Sequence, residues 1–152
     1  LASVVIAQFD AAIEEIVALA ILMPIVASMG GNAGTQTMTV AVRALAIREL
    51  TTTNSRRFIR KELWVGVANG VVFAILAGVL AGGWFQNVAL GLVLAAAMVI
   101  NMIVAGLGGV LVPLGFGRLG IDPAIAASVF VTTITDVIGF LAFLGLAAAF
   151  LI

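Results

Sequence analysis

Residues 123–152 read PAIAASVFVTTITDVIGFLAFLGLAAAFLI, and this stretch decides the fold class of the chain. It carries a single charge, Asp136, near its middle. A membrane-spanning helix needs about 20 consecutive, mostly apolar residues, so the stretch predicts a transmembrane helix. Asp122 followed by Pro123 is a favourable helix start, with an N-capping carboxylate and a proline in the first turn.

The composition of the whole chain agrees with a membrane protein. Of its 152 residues, 64% are hydrophobic and 9% are charged, whereas a soluble domain is about half apolar and about a quarter charged. The 7 basic and 7 acidic residues cancel, so nothing attracts a nucleic acid. With no cysteine and no histidine, thiolate sites, imidazole sites and histidine-based catalysis are excluded. Any bound metal must be held by oxygen, which favours hard ions, and no enzyme activity is expected.

Charges and turn residues divide the remaining sequence into further apolar blocks. The first block is too short to span a membrane and is interpreted as the end of a truncated helix. We therefore predict an all-α membrane protein, a five-helix transmembrane bundle, with residues 1–152 forming one transmembrane domain. The predicted helices cover residues 1–9 (partial), 16–46, 63–81, 88–114 and 123–152.

Two helices carry packing signals. Small residues recur every fourth position in the third block and predict close helix packing. The second block contains Pro24 and then Gly30-Gly31, which are able to bend or break a helix. Broken membrane helices often line an ion or substrate path. The small-residue stripe consists of Gly66, Gly70, Ala74, Gly78 and Gly82.

The cations predict the orientation. Six of the seven lie between blocks two and three, flanking a polar linker at 51–55, and Arg118 lies between blocks four and five. The positive-inside rule makes both loops cytoplasmic, so the C-terminus lies outside. The loop with Asp10, Glu14 and Glu15 is then also outside, where it forms an acidic mouth that concentrates cations.

Asp136 is the strongest candidate for a functional residue. A charge at the centre of a span costs about 2.5–3.5 kcal/mol on insertion scales, and no cation in the same span neutralises it. At 100° per residue, Ser128 and Thr132 share its helical face. A protonated aspartate that makes interhelical hydrogen bonds is the structural alternative.

A second polar stripe follows the second block. Asn32, Thr35, Gln36 and Thr39 fall on one arc, whereas Thr37 points elsewhere. Polar faces on membrane helices often only join helices to each other. Two stripes, one with a carboxylate, are better explained by a hydrated path.

One carboxylate is a weak site for a divalent ion, whereas two copies across a twofold axis supply two charges at one point. Symmetric dimers are the commonest oligomers, so we predict a homodimer with a pore at the twofold axis and paired Asp136. Mg²⁺ keeps several of its waters, which suits a ring of hydroxyls, amides and two carboxylates. Ca²⁺ takes more direct oxygen ligands than this span offers.

Four stretches of the chain resemble one known family. They are 23–36 (MPIVASMGGNAGTQ), 43–46 (RALA), 118–124 (RLGIDPA) and 132–137 (TTITDV). They are similar to the signatures of the bacterial MgtE magnesium transporters, and the resemblance extends from block two to the end.

The resemblance implies a homodimeric, Mg²⁺-selective channel in the bacterial inner membrane, with five transmembrane helices per subunit. The second and fifth helices would line the pore, and Asp136 would bind hydrated Mg²⁺ with its dimer mate. Thr35, Thr39 and Thr132 would contribute to the filter. The family also has cytosolic regulatory domains, which nothing in this chain matches, so they would be partners within a longer protein.

Three alternatives stay open at this point. A secondary carrier for divalent cations would use the same carboxylate and a broken second helix. An intramembrane aspartyl protease would need a second aspartate from a partner copy, and a non-conducting scaffold would leave Asp136 unexplained. The sequence also does not separate Mg²⁺ from Mn²⁺ or other divalent ions.

Overall fold

The protein is described from a computed structural model that covers residues 1–51 and 53–152. Its described part is helical, and Thr52, within the predicted polar linker, lies outside it. Two short helices precede four long ones. In chain order the helices are α1 (Ala2–Ala7), α2 (Asp10–Glu15), α3 (Ala18–Ala46), α4 (Ser55–Trp84), α5 (Val88–Arg118) and α6 (Pro123–Phe150).

Within the described residues, the four helices α3 to α6 are long and apolar enough to cross a membrane. They are compatible with a multi-pass helical membrane bundle, because a helix satisfies its backbone hydrogen bonds internally. Helix α1 packs against α6 and is too short to span. The fifth transmembrane helix therefore stays a prediction.

Helix α5 is the centre of the bundle. It packs against α3, α4 and α6, and about half of its residues are buried, among them Leu94, Met98 and Val110. A helix that is apolar on every side is expected in a core position. Helices α3 and α4 make few contacts with each other, because each packs mainly against α5.

The small-residue stripe of α4 packs against α5, as predicted. A Cβ on Gly66 would lie 2.8 Å from the carbonyl oxygen of Met102, and one on Gly78 would lie 2.9 Å from that of Gly91. No side chain fits at these distances. The stripe is therefore a contact surface between two backbones.

The expected break in the second block is absent, since α3 is one continuous helix from Ala18 to Ala46 with Pro24 inside it. The pair Gly30-Gly31 remains helical, because both glycines lie where neighbouring helices approach. A Cβ on Gly30 would overlap the Asn101 side chain of α5, and one on Gly31 would lie 4.0 Å from Thr132 of α6. Gly30 therefore serves close helix packing, whereas the space at Gly31 admits a further side-chain atom.

The ends of the long helices differ from the predicted blocks where the cations lie. Helix α4 begins at Ser55 instead of Leu63, and α5 continues to Arg118 instead of Leu114. Apolar composition marks the part of a helix that crosses the bilayer, whereas its hydrogen-bonded turns continue into the charged flanks. The start of α6 agrees with the sequence, because Asp122 Oδ1 accepts a hydrogen bond from the Ala124 amide at 2.9 Å.

Candidate functional site: a polar edge formed by two spanning helices

Small residues set the register between α3 and α6. A Cβ on Gly34 would lie 2.7 Å from Val131 Cγ1 and 3.5 Å from Thr135 Cγ2, and a Cβ on Gly139 would lie 3.1 Å from Val26 Cγ1. Residues 26–34 of α3 therefore run antiparallel to residues 131–139 of α6. This pairing places Asp136 at about the depth of the Gly30-Gly31 pair.

Asp136 occupies the edge of the α3–α6 contact. The buried side of α6 is formed by Val131, Thr135 and Gly139, and Asp136 lies one position around the helix, where it is half-buried. Within residues 1–51 and 53–152, no hydrogen bond or ion pair involves its carboxylate. A carboxylate without a partner on an apolar helix has the character of a binding group, because burial without compensation is costly.

The two hydroxyl residues of the α6 stripe lie on the same half-buried side. Thr132 Oγ1 donates to the Ser128 carbonyl oxygen at 3.0 Å, which directs its proton into the helix. A hydroxyl oxygen whose proton is used in this way still offers lone pairs. Ser128, Thr132 and Asp136 therefore form a continuous row of oxygen acceptors.

Three of the four predicted members of the α3 stripe lie on one side of α3, and they are Asn32, Thr35 and Thr39. Thr35 is half-buried, while Asn32 and Thr39 are exposed. Thr39 Oγ1 donates to the Thr35 carbonyl oxygen at 2.8 Å, and Asn32 Nδ2 donates to Ser28 Oγ at 3.5 Å. Gly31, one turn before Thr35, faces Thr132, so the edges of the two stripes adjoin.

Gln36 departs from the predicted arc. Together with Thr37 it lines a groove on the other side of α3, beside Glu62 of α4. Gln36 lies at the end of the arc, 100° from Thr35, so a small rotation of the helix decides which neighbour it faces. The two outer-mouth candidates, Glu14 and Glu15, are exposed on the short helix α2.

Sequence reasoning missed Asn101 of α5. Its side chain is 1% exposed, and its Nδ2 donates to the Val26 carbonyl oxygen at 2.8 Å. A Cβ on Gly139 would lie 2.7 Å from the same nitrogen, so Asn101 fills a notch between α3 and α6. Its Oδ1 is buried and has no hydrogen-bond partner among the described residues. The only sequence signal was a lone amide in an apolar run.

Glu62 was also missed, because the predicted third helix began one residue after it. In the structure it lies about two turns inside α4 and is 7% exposed. One signal could have revealed it: Glu62 continues the every-fourth stripe of Gly66 and Gly70 toward the N-terminus.

The described residues contain no cluster of three or more acidic, histidine or cysteine side chains able to hold a metal ion. A cation at the polar edge of α3 and α6 would therefore meet one carboxylate from a single chain, together with neutral hydroxyl and amide oxygens.

Comparisons with known proteins identify the family of the chain. Residues 23–146 match the family model MgtE, described as a divalent cation transporter. The chain is 33% identical over 147 residues to the magnesium transporter MgtE of Bacillus subtilis, covering 97% of this chain and 33% of that protein. It is 34% identical to the protein of the same name in Enterococcus faecalis, covering 96% of this chain and 32% of that protein.

A third relative, the magnesium transporter MgtE of Thermus thermophilus, is 35% identical over 147 residues, covering 95% of this chain and 32% of that protein. The chain thus spans about a third of the length of the curated relatives it matches. The family model covers most of the chain and includes both polar stripes. The chain belongs to the MgtE family of divalent cation transporters.

Proposed function

We propose that this chain is the pore domain of a Mg²⁺ channel, which conducts hydrated Mg²⁺ down its electrochemical gradient into the cytoplasm. The observation that carries the proposal is Asp136, a half-buried carboxylate without a partner in the described chain, at an edge where two polar stripes adjoin. Family membership supports the transport of a divalent cation.

A second copy of the chain would complete the site. The polar edge is partly exposed on one chain, and a carboxylate left facing lipid would cost about 2.5–3.5 kcal/mol. A twofold axis beside α6 would bring the two Asp136 carboxylates together and cover both edges. Twofold dimers are the commonest closed assemblies, so we propose a homodimer with the pore on its axis.

The ligand types at the edge favour Mg²⁺ with its waters retained. Thr35, Thr39 and Thr132 offer hydroxyl oxygens, and Asn32 and Ser128 add further polar groups. Mg²⁺ loses its first hydration shell reluctantly and is often held through water. Two carboxylates with neutral oxygens around them therefore suit a hydrated ion better than a dehydrated one.

The distribution of charge supports a cytoplasmic location for the loops that carry the cations. Arg56, Arg57 and Arg60 lie at the start of α4, and the positive-inside rule places them in the cytoplasm. Glu14 and Glu15 would then face the outside, as would the C-terminus, and would attract cations to the entrance. In the longer protein, cytosolic regulatory domains would close this pore.

A carrier is the alternative function. One argument for it was a broken second helix, and the continuity of α3 removes that argument. Single-channel Mg²⁺ currents from the reconstituted chain would favour a pore. Saturable counterflow of Mg²⁺ driven by a proton or sodium gradient would favour a carrier.

The decisive experiment neutralises Asp136. In liposomes that contain a Mg²⁺-sensitive dye, Asp136→Asn and Asp136→Ala should lower Mg²⁺ uptake by about tenfold or more, which corresponds to losing at least roughly 1.4 kcal/mol of cation stabilisation. Glu49→Gln is the matched control, since it removes an exposed carboxylate between α3 and α4. Uptake through Asp136→Ala at the rate of the unchanged chain would overturn the proposal.

A further inference from the structure

Glu62 is held in place by the contact between α4 and α5. A Cβ on Gly106 of α5 would lie 2.9 Å from the Glu62 carbonyl oxygen, so the two backbones touch at this point. The side chain of Glu62 extends toward α3, where Thr37 Oγ1 donates to Glu62 Oε2 at 3.4 Å. Glu62 therefore connects three helices.

The carboxylate of Glu62 is poorly compensated. It is 7% exposed, and the described part of the chain supplies it with one hydrogen bond, the long one from Thr37. Its neighbours Arg60 and Lys61 line a different groove on another face of α4. A buried charge normally requires a partner of opposite sign or several strong hydrogen bonds.

A polar groove lies directly beside this carboxylate. It has a volume of about 180 Å³ between α3, α4 and α5, which is room for several water molecules. Its polar lining consists of Gln36, Thr37, Glu62 and Asn69. One carboxylate with hydroxyl and amide oxygens is a set of ligands for a hard cation that keeps part of its water.

A proton on Glu62 is the competing explanation. A protonated carboxyl group needs only one hydrogen-bond acceptor. This explanation gives no role to the groove or to the amide groups of Gln36 and Asn69 that line it. A hydrated cation uses the charge, the neutral oxygens and the volume together. The observations therefore favour the cation.

We infer that this groove is a second cation-binding site, which takes a hydrated divalent cation with Glu62 as its anionic ligand. Gln36 and Asn69 supply amide oxygens to the water shell, and Thr37 orients the carboxylate. The site is separate from the polar edge at Asp136, because Thr37 lies on the opposite side of α3 from Thr35 and Thr39. An ion in the groove would contact α3 on the side opposite the polar edge.

The test measures Mn²⁺ binding to the purified chain, with the metal alone as the probe. Asp136→Asn serves as the background, so that the proposed pore site does not contribute. In this background we expect one Mn²⁺ per chain by equilibrium dialysis and by the loss of the free Mn²⁺ signal in electron paramagnetic resonance. Adding Glu62→Gln should abolish this binding, and adding Thr37→Val should weaken it by about 10- to 100-fold, as loss of an orienting partner does.

Two outcomes would overturn the inference. The first is a Mn²⁺ stoichiometry in the Asp136→Asn background that Glu62→Gln leaves unchanged. The second is a protonated-carboxyl infrared band that Glu62→Gln removes but saturating Mn²⁺ does not. Glu62→Gln keeps the size of the side chain and an oxygen acceptor for Thr37, and thermal unfolding and gel filtration check that it folds. Failure of this site leaves the Asp136 flux experiment unaffected, since the two readouts are independent.

Discussion

Asn101 explains why two glycines face it from different helices. Its amide nitrogen lies 2.7 Å from the position of a Cβ on Gly139 and overlaps that of a Cβ on Gly30, and it donates to the Val26 carbonyl oxygen. Small residues are favoured where membrane helices approach closely. At the residue scale, one amide therefore sets the spacing of the two helices that carry the polar stripes.

We predict that Gly30→Ala destabilises the protein by about 1–3 kcal/mol, the range for overfilling a packed core. The new methyl group would overlap the Asn101 side chain. Gly31→Ala is the matched control, since the nearest atom to its Cβ is 4.0 Å away. Thermal unfolding in detergent measures both variants.

The same pair of residues offers a coupling test. Asn101→Ala should relieve the overlap, so the effects of Gly30→Ala and Asn101→Ala should be less than additive. Additive losses of stability, or equal losses in the two glycine variants, would show that the overlap is not the cause.

At the element scale, α6 depends on how it begins. Asp122 accepts from the Ala124 amide at 2.9 Å, and Pro123 occupies the first turn. An N-cap satisfies an amide that has no partner within its own helix. The cap therefore fixes the end of the helix that presents Asp136.

Replacing this cap tests its contribution. Asp122→Ala should lower the free energy of unfolding by about 0.5–2 kcal/mol, whereas Asp122→Asn should keep most of the stability, because asparagine caps a helix equally well. Chemical unfolding in mixed micelles provides the comparison. Equal losses in both variants would point to the charge of Asp122 instead of its hydrogen bond.

At the scale of the whole molecule, the proposed assembly makes a prediction about distance between subunits. The chain contains no cysteine, so a single introduced thiol reacts alone. If the twofold axis passes beside α6, Asp136→Cys in the two copies should be joined by a short bifunctional maleimide in membranes. Denaturing electrophoresis would show the product as a dimer band.

The control for this experiment is Leu141→Cys, on another face of α6 and 49% exposed. It should stay monomeric on the gel under the same treatment. Cross-linking at Leu141 but not at position 136 would place a different face of α6 at the interface, and the pore model would lose its geometric basis.

Much of the fold could be predicted from the apolar runs in the sequence. The four long helices lie where blocks two to five predicted them, because crossing a bilayer depends on the length and composition of one segment. The predictions failed at the ends, most clearly at α4, which begins at Ser55 instead of Leu63. Charged flanks end an apolar run, but they do not end a helix.

The candidate site also contains residues that the sequence predicted and residues that it did not. Ser128, Thr132 and Asp136 share a side of α6 because helical periodicity alone requires it. Glu62 and Asn101 were not found, since their importance comes from neighbours that are distant in sequence: Gly106 and Thr37 around Glu62, and Val26 and Gly139 around Asn101.

The sequence by itself determined that this chain is a helical membrane protein with one carboxylate inside its last span, because both properties belong to single segments. The tertiary structure alone decided which glycines mark a contact between helices, that α3 continues through Gly30-Gly31, and that Glu62 is buried beside a groove. Burial and contact are properties of several segments at once, and they depend on distances between backbones that no single segment contains.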